Sequence, residues 1–220
     1  MNSPIIQLLV LAGIAVFLIL RLRSVLGTRE GFEKPQVSDS RSASSRRRPD
    51  LEVIEGGPDL DITDHVPEDS DAALALAAMK RAEPSFGVGD FLGGARGAYE
   101  WILMAFENGD LSEVRGFLSD DVYEAFAEVI EERKAQGLSV EATFVGLSEI
   151  ALKDAEYDET SGEAELVVRF TGEITSVVRD EAGDIVEGSP SEIKRQRDIW
   201  TFARTMGAND PNWVLVATGE

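Results

Sequence analysis

The sequence predicts an α+β domain, with N-terminal helices packed on an antiparallel sheet of about four strands, preceded by one transmembrane helix. Three observations carry this. Residues 4–20, PIIQLLVLAGIAVFLIL, form an apolar run without charge. Between Phe91 and Gly137 apolar residues recur at helical spacing. Beyond Gly137 the period changes from 3.6 to 2, and short turns separate the alternating segments.

The apolar run comes first. At about 1.5 Å rise per residue it spans about 26 Å, within reach of a hydrocarbon core about 30 Å thick. Ile5, Leu8, Leu9 and Leu11 supply its first half, and Ile14, Phe17 and Leu20 its second. Arg21 and Arg23 follow at once. If they snorkel to the headgroups, Leu22, Val25 and Leu26 add a turn. Residues 1–26 are therefore expected to be a transmembrane signal anchor. A cleaved signal peptide needs basic residues before its apolar core and a small-residue site after it. Here nothing basic precedes Pro4 except the α-amine, and RLRSVLG follows Leu20. The basic residues on the C-terminal side predict a single pass, with the N-terminus outside and the C-terminal domain cytoplasmic.

Composition then removes function classes. Without cysteine there are no disulfides, thiolate metal sites or cysteine nucleophiles. The single histidine, His65, lies in a polar stretch, so imidazole acid–base chemistry and multi-histidine metal sites are absent. No cofactor is expected. The formal charge is −20, and residues 86–220 hold 28 acids against 11 bases. Such a domain repels nucleic acid, because phosphate binding needs concentrated Lys and Arg.

Residues 27–68 are rich in Ser, Asp, Pro and Gly and poor in aromatics, which predicts a flexible acidic linker. Arg46, Arg47 and Arg48 form a basic cluster inside it, read either as a contact to anionic headgroups or as a solvated charge run. Residues 69–83 predict a short amphipathic helix capped by Ser70, with Lys80 and Arg81 in its last turn. It has three possible uses: packing on the domain, lying on a membrane or binding a partner.

Residues 84–220 are the expected α+β domain. Asp90 is placed to cap a helix from Phe91 to about Asn108, and Gly109 to end it. Phe91, Ala95, Ala98, Ile102 and Phe106 mark its buried face, widened by Tyr99 and Leu103. A short helix from Leu111 to Phe117 follows. Ser119 then caps another, with Val122, Tyr123, Phe126, Val129 and Ile130 facing inward. The strands are expected at VEATFVGLSEIALKDAEYD with a bulge at Gly146, at EAELVVRFTGEITSVVR, at Ile193 to Thr205 and at Trp213 to Thr218. The short turns between them imply a meander with one face covered by the helices.

Candidate chemistry is sparse. GGARG at 93–97 lacks the Gly-Lys-Ser/Thr ending of a phosphate loop and follows no strand, so its small residues are read as allowing close backbone approach. The acidic pairs Asp120/Asp121, Glu131/Glu132 and Asp180/Glu181 fall at a helix start, a helix surface and a turn, where solvated carboxylates are ordinary. The aromatics say more. Phe86, Phe91, Tyr99, Phe106, Phe126 and Phe170 are candidates to line one cavity between the helices and a curved sheet. Ile102, Phe144, Trp200 and Phe202 extend that set. A site of this kind takes lipid tails or apolar peptide segments. The alternative is a filled core.

At these residues the chain resembles the Tim-forty-four-like family, named for the inner-membrane subunit that tethers the mitochondrial import motor. The resemblance lies in PSFGVGDFLGGARGAYEWILMAFENGDLSEVRGFLSDDVYEAF, AELVVRFTGEITSVVRDEAGDIVEG, DIWTFAR and DPNWVLVATG, over about residues 84–219. RLRSVLGTREGFE after a membrane span is similar to the bacterial branch, which implies a bacterial inner membrane. The resemblance also implies a cone-like α+β domain with an apolar pocket on its curved sheet. Residues 86–106 then match the leading helix, and Phe170 and Trp200 the strand residues facing the pocket. It further implies binding to the membrane and to a protein partner in translocation, whether translocase, chaperone or client chain, with no catalytic residues. The chain departs from the mitochondrial relative in its own span and its short acidic linker.

The expected function is thus a membrane-anchored adaptor, not an enzyme, whose domain binds a protein partner in translocation or membrane-protein biogenesis. The alternatives are a module for lipid or another small apolar ligand and, further off, a carboxylate-dependent hydrolase.

Overall fold

The computed structural model describes residues 57–219. The expected anchor, with Arg21 and Arg23, lies outside the described residues, as do residues 27–56 of the expected linker. Among the described residues no helix is long and apolar enough to cross a membrane.

Among the described residues four α-helices precede four strands: α1 (Leu60–Thr63), α2 (Asp71–Ala82), α3 (Val88–Asn108), a 3₁₀ turn (Arg115–Phe117), α4 (Asp120–Ala135), then β1 (Ser139–Asp158), β2 (Glu163–Arg179), β3 (Ile185–Thr205) and β4 (Val214–Gly219). The strands form one antiparallel sheet in sequence order, as the short turns predict.

Each helix starts where the sequence supplies an acceptor. Ser70 Oγ accepts the Ala73 N–H at 3.1 Å to open α2, and Ser119 Oγ accepts the Val122 N–H at 3.3 Å to open α4. α3 is different. Its N-cap is Gly87, which has no side chain to offer, and Asp90 lies inside the first turn. The acceptor comes from α1: Asp61 takes the N–H groups of Val88 and Gly89 at 2.8 and 2.9 Å. Lys80 of α2 reaches the same carboxylate at 2.8 Å. Burial alone would raise the pKa of Asp61. The Lys80 hydrogen bond and the Gly89 and Val88 N–H groups overcome it and hold the carboxyl at about 2.

This contact moves the domain boundary. The composition of residues 27–68 predicts a linker throughout, yet Ile62 and Val66 are buried in the core. Two buried apolar side chains and a shared cap tie this mostly polar segment to the helices. The helix at 69–83 packs on the domain, with Leu76 and Met79 fully buried and Leu74 exposed.

The sheet packs its inner face on the helices. Ala164, Leu166, Val168, Phe170 and Ile174 alternate inward along β2, and Trp200 and Phe202 continue the layer on β3. Its outer face is polar, with Arg195 bonded to Glu173 at 2.7 Å and Arg169 to Glu149. The register of β1 shifts between Phe144 and Gly146, where the sequence predicts a bulge, and twice more before Asp154. Such shifts bend a strand and blunt an edge. β3 begins at Ile185, eight residues before the expected start. In α4, Val129 is exposed, which corrects its assignment to the inward face. Gly93, Gly94 and Gly97 meet no neighbour within 4 Å of an added Cβ, so they do not serve the close backbone approach expected of them.

Candidate functional site: an aromatic wall between two openings

Of the ten residues proposed for one cavity, nine separate into three groups, and the tenth, half-buried Phe144, meets the Tyr99 ring at 6.2 Å. Tyr99, Ile102 and Phe170 fill the interior, each no more than 1% exposed. Tyr99 stacks on Phe170 with ring centroids 4.4 Å apart at 15° and meets Trp200 at 4.8 Å. Phe170 also meets Trp200 at 5.6 Å and Phe202 at 6.4 Å. Tyr99 and Phe170 form the centre of a wall, and Phe202 and Trp200 are its faces toward the two openings.

The wall is fixed by hydrogen bonds. The Tyr99 hydroxyl donates to Asp198 Oδ2, which also accepts from Gln196 Nε2 at 3.0 Å. Burial, then the bond to Asp198 and its charge, push the Tyr99 hydroxyl well above the usual phenol range, so it stays a donor. Gly172 makes room for it, since an added Cβ there would sit 2.6 Å from the hydroxyl oxygen.

On one side of the wall lies an apolar pocket of about 350 Å³, between the N-terminal half of α3 and the β3–β4 turn. Phe86, Phe91, Phe117, Phe202 and Trp213 line it. Phe91 packs edge-on against Trp213 at 4.8 Å and Phe202 at 5.9 Å. Glu83 and Arg204 form its rim. Arg204 Nη2 donates to Glu83 Oε2 at 2.7 Å, its Nη1 donates to the Pro211 carbonyl at 3.1 Å, and its guanidinium lies 5.0 Å over Trp213. The Gly207 N–H donates to the same Glu83 oxygen at 2.9 Å. That bond, helped by Arg204 and opposed by burial, holds the Glu83 carboxyl below its usual range.

On the other side a cleft of about 670 Å³ separates the C-terminal end of α3 and α4 from β3. Phe106, Phe126 and Trp200 line it together with Lys194 and Glu107. Phe106 and Phe126 pack at 4.7 Å, and Arg133 lies 4.5 Å over the Phe106 ring. Burial pushes the Glu107 carboxyl up, and Arg133 and Lys194 pull it back.

The expected cavity residues thus fall in both openings, with the wall between them. Trp213, Phe117, Glu83 and Arg204 are pocket residues outside the expected set. Trp213 carried a signal, an aromatic directly after the Asp210–Asn212 turn. Glu83 and Arg204 carried none, because they are 121 residues apart. Among the described residues no group of three or more His, Cys, Asp or Glu is arranged to hold a metal. The acidic pairs do ordinary structural work: Asp120 pairs with Arg115, and Asp180 accepts turn N–H groups from Ala182 and Asp184 at 3.0 Å.

An α+β domain with an aromatic pocket between its helices and its sheet is the class defined so far. The chain belongs to the Tim44-like domain family, which matches residues 72–220. It is similar to the human mitochondrial import inner membrane translocase subunit TIM44, 24% identical over 137 residues, covering 62% of this chain and 30% of that one. The Arabidopsis thaliana subunit TIM44-1 is 21% identical over 143 residues, covering 64% and 30%. The matches therefore span under a third of the length of these relatives. The solved intermembrane-space region of chloroplast protein ARC6 matches 56% of this chain and 88% of that one, at 12% identity and a TM-score of 0.37.

Proposed function

We propose that this protein is a membrane-held adaptor, without enzymatic activity, whose domain binds a segment of a partner protein in translocation or membrane-protein biogenesis. The observation that carries the reading is the pocket between α3 and the β3–β4 turn. Its aromatic lining offers apolar burial, and the Glu83–Arg204 rim offers polar contacts to a backbone. Named relatives are subunits of an inner-membrane translocase, which supports a protein partner at a membrane. The apolar run at residues 4–20, followed by Arg21 and Arg23, supports a single-pass anchor in a bacterial inner membrane with the domain in the cytoplasm.

A second reading is favoured by size. A volume of about 350 Å³ is also that of a small-ligand site, so a lipid chain is the competing occupant. One experiment separates them. A photo-crosslinking amino acid replaces Phe117 at the pocket rim, or Glu131 on the exposed face of α4, in the full chain within cells. The adaptor reading predicts one protein crosslinked from position 117 and not from 131. Crosslinks to lipid alone, or identical products from both positions, refute it.

A further inference from the structure

β3 is longer than the strand that covers it. β4 pairs with it only from Ile199 to Ala203, so from Ile185 to Asp198 it has β2 on one side and, among the described residues, no strand on the other. Outside that ladder no backbone hydrogen bond reaches residues 194–198 among the described residues. Lys194, Arg195, Gln196, Arg197 and Asp198 all line the 670 Å³ cleft. Consecutive strand residues point to opposite faces, so all five meet one cavity only if it runs along the strand's edge. Phe106 and Phe126 form the facing wall, and Thr218 and Gly219, the last residues of β4, close one end. The cleft lies where a continuation of β4 would lie, about 17 Å long over five residues.

Charge selects the occupant. The acids of the cleft are already engaged: Glu107 faces Arg133 at 3.8 Å, and Asp198 holds Tyr99 and Gln196. Arg195 is bonded to Glu173. Lys194 and Arg197 are exposed and join none of the ion pairs of this region among the described residues. Arg133 Nη1 is buried without a hydrogen-bond acceptor, in an adjoining opening that shares Glu107, Lys194 and Gln196 with the cleft. A domain with a large excess of acid thus places two exposed cations, Lys194 and Arg197, outside its ion pairs and beside an unpaired strand edge.

We propose that this cleft seats an extended segment of a partner protein, rich in alternating acidic and apolar residues, that adds to the sheet as a strand beside β3. The outward N–H and C=O groups of alternate β3 residues pair with its backbone. Its apolar side chains meet Phe106, Phe126 and Trp200 on the inner face and its carboxylates meet Arg197 on the outer face, while Lys194, on the inner face, adds positive charge at one end of the cleft. The cleft serves the adaptor role proposed above and depends on it. Crosslinking from position 117 survives a failure here, so the two fail separately.

The test uses the full chain in detergent micelles and an acetylated, amidated peptide of four Asp-Val repeats. Amide hydrogen exchange is followed at residues 194–198. The peptide is expected to slow exchange there by about tenfold or more at saturation, as strand pairing requires. The same peptide with N-methylated backbone, and a Lys-Val counterpart, are expected to bind at least about tenfold more weakly. The double variant Lys194→Glu/Arg197→Glu is expected to weaken binding similarly while leaving exchange in α2 and α3 unchanged. No protection by the Asp-Val peptide, or equal binding of the N-methylated form, overturns strand addition. Protection by phosphatidylglycerol vesicles but not by the peptide assigns the cleft to lipid and also overturns it. So does protection that rises with protein concentration alone, which marks a second copy.

Discussion

Replacing Asp61 by alanine removes a cap that α1 lends to α3. Two estimates give the cost. Asp61 falls from 3.8 to about 2, which corresponds to roughly 2.4 kcal/mol at about 1.36 kcal/mol per unit. The side chain is 34% exposed, so solvent screening reduces this to about 1–2 kcal/mol. Loss of a helix N-cap costs about 0.5–2 kcal/mol on independent grounds. Lys80 keeps Asp59 at 2.6 Å, so the variant leaves no buried cation unpaired. Urea unfolding, followed by the fluorescence of Trp101, Trp200 and Trp213, reads the effect. With a slope of about 2 kcal/mol per molar, the midpoint should fall by about 0.5–1 M. The pH dependence gives a sharper check. The folded carboxyl is depressed, so its stabilisation is present above the unfolded value of 3.8 and lost as pH falls through about 2. The gap between wild type and Asp61→Ala should hold from pH 5 to 8 and close between pH 4 and 2. A gap under about 0.3 kcal/mol at pH 7, or one that persists unchanged at pH 2, refutes the capping account.

Three further outcomes follow from the packing. Gly172→Ala should cost about 1–3 kcal/mol through overlap with the Tyr99 hydroxyl, and adding Tyr99→Phe should recover part of it; a double-mutant cycle by urea unfolding measures the coupling. Met79→Ala should destabilise by about 2–5 kcal/mol, since Met79 is fully buried where α2 meets the core; a loss under about 0.5 kcal/mol would show that α2 is not integral to the domain. Arg204→Ala should loosen the pocket rim, seen as a red shift of Trp213 emission in a chain carrying Trp101→Phe and Trp200→Phe, because the guanidinium lies over that ring.

Much of this fold is written locally. Ser70 and Ser119 open helices, Gly109 ends one in the left-handed conformation at φ 72°, and the change of period at Gly137 starts the sheet. Each signal acts within a few residues, so it survives without tertiary context. The misjudged features are those set by distant partners. Asp90 reads as the cap of α3, but Asp61 arrives from 27 residues upstream. Residues 59–66 read as linker because only Leu60, Ile62 and Val66 are apolar, and the burial of Ile62 and Val66 depends on a surface built by α2 and α3. The site follows the same rule. Aromatic residues are visible in a sequence, but whether Tyr99 lines a cavity or plugs it depends on Phe170 and Gly172 across the sheet. The Glu83–Arg204 rim joins residues that no spacing relates.

The adaptor account is tested most directly by what the protein carries out of a membrane. Full-length wild type and Phe117→Asp are purified in mild detergent from cells at equal expression, and fold is verified by urea unfolding. Phe117 is a half-buried rim residue packed on Trp101 at 5.2 Å, so the change places charge in the pocket mouth without emptying the core. The account predicts one protein co-purifying with wild type and reduced by about tenfold or more with Phe117→Asp, as expected of an interface anchor. The same proteins recovered equally with both chains, or no enriched protein with wild type, would contradict it.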